Sequence, residues 1–130
     1  MLKSENLILI VSATALLVGC AARISESDAG PRPRDYKASL TAYIEQTFYD
    51  PYSLRSVCVT QLVPGRFGVL GSGWIVCLQA NAKNRMGGYT GLQRTSYLFQ
   101  GDNIVLSGEY ADACQAVPFL PWPEMEGRNQ

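Results

Sequence analysis

The chain has 130 residues, with 11 basic and 11 acidic side chains, no histidine and four cysteines. That length holds one small domain at most, and a net charge of zero argues against a nucleic-acid partner and against a polybasic membrane surface. Without histidine the commonest general base and metal ligand are missing; the cysteines also lack the close paired spacing of a zinc site, so neither metal nor cofactor is expected.

Lys3 and the amino terminus form a short positive region, followed by the apolar run Leu7 to Val18. As helix these twelve residues would span about 18 Å, short of the ~30 Å hydrocarbon core, so the run reads as the apolar region of a signal peptide. It ends in Leu17-Val18-Gly19-Cys20, which resembles the lipobox of bacterial lipoproteins. The resemblance implies cleavage after residue 19, diacylglyceryl on the Cys20 sulfur and a further acyl group, such as palmitate, on its new amino group. Ala21, where inner-membrane lipoproteins of Gram-negative bacteria often carry Asp, implies transfer to the outer membrane.

Residues 20–34 are small, polar and proline-bearing and read as the lipidated cysteine with a flexible tether. Residues 35–130 are expected to form a single α+β domain: one N-terminal helix on a four-stranded antiparallel meander, closed by an extended proline-rich tail. Asp35 to Tyr49 carries an apolar stripe at Tyr36, Leu40, Tyr43, Ile44, Thr47 and Phe48, with Asp35 as N-cap, and Asp50-Pro51 ends it. Arg55 to Val63 alternates, with Val57, Val59 and Val63 on one face and Ser56, Cys58, Thr60 and Leu62 on the other. Pro64 to Gly73 reads as a flexible glycine-rich connection. Trp74 to Ala82 alternates again, with Trp74, Val76, Leu78, Ala80 and Ala82 inward and Ile75, Cys77, Gln79 and Asn81 outward. Tyr89 to Phe99 and Asn103 to Ser107 are joined by the tight turn Gln100-Gly101-Asp102. Trp74, Tyr97 and Phe99 are expected in the core, and Trp122, between two prolines, exposed.

The central block Asp50-Pro51-Tyr52-Ser53, Trp74-Ile75-Val76-Cys77, Asn81-Ala82-Lys83-Asn84 and Gly87-Gly88-Tyr89-Thr90-Gly91 resembles a family of small Gram-negative proteins and lipoproteins. That family shares a DP-x-S turn and a C-x-x-x-NAKN-x-x-GGY-x-G segment. The resemblance covers roughly residues 36–100; Phe119 and Pro123-Glu124-Met125 resemble the tail of its α-proteobacterial members. It implies fold and location, but no activity.

In an oxidising compartment the three remaining mature cysteines can close one bridge within the chain. Cys77–Cys114 is preferred, because the tail needs a tie and the loop closed is longer; Cys58–Cys77, on one outward face, is the alternative. No G-x-S-x-G elbow, phosphate loop or nucleophile–base pair is visible, so no catalytic residue is assigned and the chain reads as non-enzymatic. The candidate binding residues are Asn81, Lys83, Asn84, Arg85 and Tyr89, in a loop whose glycines serve geometry. These readings combine into a non-catalytic envelope lipoprotein on the periplasmic face of the outer membrane, an assembly or binding module. Its expected partners are the membrane, through the lipid, and an envelope protein or peptidoglycan. A glycan or peptidoglycan binder, or an inhibitor of a wall-degrading enzyme, is the alternative; it requires Asn81, Asn84 and Tyr89 exposed beside an aromatic such as Trp122.

Overall fold

The computed structural model describes residues 24–109 and 112–128. The expected signal peptide, the Cys20 expected to carry lipid and the first part of the expected tether lie outside the described residues.

One short and one long helix precede the sheet. The short α1 (Glu26–Ala29) starts at Ser25, whose hydroxyl accepts the Asp28 amide at 3.2 Å. The main helix α2 (Tyr36–Thr47) starts at Asp35, whose carboxylate accepts the Ala38 amide at 3.0 Å, satisfying a donor that the helix itself leaves free. The stripe predicted from the sequence buries Leu40 and Ile44 completely, with Tyr36, Tyr43 and Phe48 packed around them. The tether reading fails on its domain side. Ala29 and Pro33 are buried, the Trp74 indole donates to the Gly30 carbonyl at 3.0 Å, and Arg32 lies over the Trp74 ring. Composition missed this docking because it rests on a partner more than 40 residues away in the sequence.

The sheet has six antiparallel strands rather than four: β1 (Arg55–Val59), β2 (Val63–Arg66), β3 (Ser72–Lys83), β4 (Tyr89–Gln100), β5 (Asn103–Glu109) and β6 (Leu120–Pro121). Their order is β5-β4-β3-β1-β6, with β2 also beside β3. Strands β1 and β2 therefore lie end to end along one edge of β3, with β4 on the other. The run expected as one strand breaks at Thr60. The Thr60 amide donates to the Cys77 carbonyl, while the Cys77 amide donates to the Thr60 hydroxyl, both at 2.9 Å. A side chain has taken the place of a ladder carbonyl, and the alternation slips: Leu62 joins the helix-side core and Val63 the opposite cluster. The glycine-rich connection is correspondingly a hairpin, with Gly65 opposite Gly73 and Arg66 opposite Ser72.

Both faces of the sheet are covered. On the helix side Trp74, Val76, Leu78, Tyr97 and Phe99 meet α2, and the Tyr43 and Tyr97 rings stand edge to face at 5.4 Å. On the other side Ile75, Cys77 and Leu98 pack with Cys114, Phe67, Leu106 and Phe119. The tail joins the two. It crosses the outer face, pairs with β1 as β6, and then passes to the helix side, where Trp122 and Met125 are buried. Trp122 is thus a core residue, against the sequence expectation; its amide donates to the Val57 carbonyl at 2.8 Å. Cys77 and Cys114 form a disulfide with a Cα–Cα separation of 6.2 Å, and Cys58 is a free thiol. No helix among the described residues is long and apolar enough to cross a membrane.

Candidate functional site

The five residues singled out by sequence fall at one end of the sheet, where β3 turns into β4, but they do different work. Asn84 builds the turn. Its carboxamide oxygen accepts the Met86 and Gly88 amides at 3.0 and 3.1 Å, its own amide donates to the Gly88 carbonyl, and its carbonyl accepts the Gly87 amide. Gly87 takes φ +80°, a conformation that disfavours a side chain. Asn81 stabilises an irregularity one step back. The β3–β4 register shifts between Asn81 and Lys83, and the Asn81 side chain accepts the Gly91 amide at 3.0 Å where Gly91 has φ +92°. Both asparagines thus spend an acceptor on local backbone, as short amide side chains do in turns.

Tyr89, Lys83 and Arg85 form the presented chemistry, and Arg55 joins them. The Tyr89 hydroxyl donates to the Ser53 carbonyl at 2.8 Å, tying the hairpin to the segment before β1. Its ring lies 3.9 Å from the Arg55 guanidinium and 5.4 Å from the Lys83 ammonium, within the range of cation–π attraction. Arg55 sits there because β1 pairs with the far half of β3, opposite Asn81. Arg85 and Met86 stand at the tip; Met86 is 92% exposed. The two ion pairs found among the described residues are Arg34–Asp102 and Arg128–Glu45, and neither includes Arg55, Lys83 or Arg85. Arg128 also lies 5.2 Å from the half-exposed Tyr52 ring.

The arrangement can offer guanidinium and ammonium groups, with an exposed methionine next to Arg85, to an acidic surface. It does not form a sugar-stacking platform: Tyr89 is fixed by its hydroxyl and covered by cations, and Trp122 is only 4% exposed within the core. Sequence reasoning missed Arg55 and Ser53. The one signal for them was the Asp50-Pro51-Tyr52-Ser53 turn, and nothing in it indicates that the next strand pairs with the distal half of β3.

The opposite end of the sheet is where the chain enters. The twelve residues of β3 span about 36 Å at ~3.3 Å per residue. At the start of β3 lie Trp74, which holds Gly30, and the β4–β5 turn, where Asp102 holds Arg34. No protein-family profile matches the chain, and no curated protein or solved structure matches it.

Proposed function

We propose that this chain is a non-catalytic outer-membrane lipoprotein, lipid-anchored at Cys20, whose 83–89 hairpin and Arg55 bind an acidic surface of another envelope component in the periplasm. The observation that carries the reading is the separation of the two ends. Residues 24–34 pack around Trp74 near the start of β3, and Arg55 (opposite Asn81) and Lys83 stand about 23 and 30 Å further along that strand at ~3.3 Å per residue, with Arg85 in the turn that ends it. An anchor at Cys20 leaves the cationic end turned away from the membrane. Charges on a rigid hairpin steer and orient an acidic partner more than they add affinity, which suits an assembly module.

The wall-binding alternative has less support, because Asn81 and Asn84 accept backbone amides rather than stand ready for a sugar. Photo-crosslinking in cells from a reactive residue at Arg85 tests both readings. A discrete protein adduct that survives cell-wall digestion supports the assembly module, and adducts that collapse on digestion favour the wall. Absence of any adduct from this position refutes the assignment of the hairpin as the working face.

A further inference from the structure

The β2–β3 hairpin ends in Phe67-Gly68-Val69-Leu70-Gly71. It is a closed turn: the Leu70 amide donates to the Phe67 carbonyl at 3.0 Å, and the Phe67 amide to the Gly71 carbonyl at 2.8 Å. The Phe67 side chain reaches back into the outer-face core beside Leu106, which fixes the hairpin to the sheet. Val69 and Leu70 have no such contact; they are 101% and 68% exposed. Two adjacent branched apolar side chains at the apex of a braced turn form an unpartnered apolar point.

Its position identifies the occupant. Ile24, the first described residue, lines a groove with Gln61, Val63, Pro64, Ala113 and Val117, at the root of the same hairpin. From Val63 to Arg66 is about 10 Å at ~3.3 Å per residue. Cys20 is four residues upstream of Ile24, so their Cα atoms are at most about 15 Å apart, at ~3.8 Å per step. We infer that Val69 and Leu70 insert into the leaflet that holds the Cys20 lipid, making a second membrane contact beside the anchor. This inference rests on the lipid anchor proposed above.

Charge does not drive the contact: Glu26 and Asp28 of α1 offset Arg32 and Arg66 at this end. Insertion is therefore apolar, at the headgroup–acyl boundary, and tolerant of salt. The apolar tip also orients the domain, because two contacts define a direction that one lipidated cysteine does not.

The test uses the full chain purified from membranes and reconstituted in vesicles of phosphatidylethanolamine and phosphatidylglycerol, with and without bromine on the acyl chains. Trp74 and Trp122 are buried, so the indole added by Val69→Trp is the one that can meet lipid. Its emission should shift to the blue and lose intensity in the brominated vesicles, equally at low and high salt. Met86→Trp, at the far end, should lose none. The mass of the amino-terminal peptide from the same preparation reports the lipid on Cys20. With lipid present, an unquenched tip overturns the membrane contact and leaves the anchor standing. A blue shift without quenching identifies a protein neighbour, such as a second copy, and also overturns it. Equal quenching at Met86→Trp means general adhesion and does the same. A peptide without lipid overturns the anchor and the tip contact together.

Discussion

Arg34 closes on a single carboxylate in the β4–β5 turn, 68 residues along the chain: its amide donates to Asp102 Oδ1 at 2.8 Å, its Nε to Oδ2 at 2.8 Å, and its Nη2 lies 2.7 Å from Oδ2. A turn aspartate thus holds the chain entering the domain. The backbone hydrogen bond from Arg34, then that of its side chain, lowers the Asp102 pKa below the usual value. A carboxylate with a lowered folded-state value stabilises fully above its unfolded value of about 3.9, and its contribution disappears as pH falls through the folded value. The urea midpoint of the natural chain should therefore fall more steeply below pH ~4 than that of Asp102→Asn; parallel curves would show that the clamp adds nothing.

Loss of the Cys77–Cys114 bridge should be costly. Both residues are fully buried, and the bridge joins positions 37 residues apart. The double change Cys77→Ser, Cys114→Ser should lower unfolding free energy by about 2–4 kcal/mol, read by urea denaturation. Peptide mapping without reductant should join these two cysteines and leave Cys58 open to a thiol reagent under denaturing conditions; a joined Cys58 peptide would contradict the pairing.

Two glycines of the same hairpin should respond differently to alanine. A Cβ at Gly73 collides with the Phe99 carbonyl oxygen, which is ladder backbone and cannot move without breaking the β3–β4 register. At Gly65 the nearest atom is the end of the flexible Ile75 side chain, at 2.6 Å. Gly73→Ala should destabilise by about 1–3 kcal/mol or more, as overpacking does, and Gly65→Ala by less. Equal thermal midpoints for the two variants would refute this ranking.

The Trp74 indole is a second tie on residues 24–34, beside the Asp102 clamp. Trp74→Phe keeps a large ring but removes the donor to the Gly30 carbonyl. Gly30 is exposed, so water can replace the bond, and the loss should be about 0.5–1.5 kcal/mol. Limited trypsin digestion should then cut faster after Arg34 without faster cutting after Arg94; unchanged rates would mean that packing alone holds the segment.

The amphipathic elements were legible because their information is local. The stripe through Leu40 and Ile44, the N-cap at Asp35, and the alternation from Trp74 to Ala82 each depend on residues a few positions apart, with periods that backbone geometry imposes. The outward position of Cys77 follows from the same alternation, as does the preference for a bridge to a tail lying over that face. The loop around Asn84 and the glycines was visible as a turn for a similar reason: positive φ and side-chain acceptors have short-range signatures.

The sequence by itself determined the α+β class, the main helix and the inward set of β3. Only the tertiary structure decided that Thr60 breaks a strand, that Trp122 is core, that residues 24–34 are docked, and that Arg55 meets Lys83 at Tyr89. Each of these rests on a partner far along the chain: Cys77 for Thr60, Val57 for Trp122, Trp74 and Asp102 for the entering segment, and the distal half of β3 for Arg55. Local pattern sets which face of an element is apolar, but which surface covers that face depends on strand order, and strand order is a property of the whole packed chain.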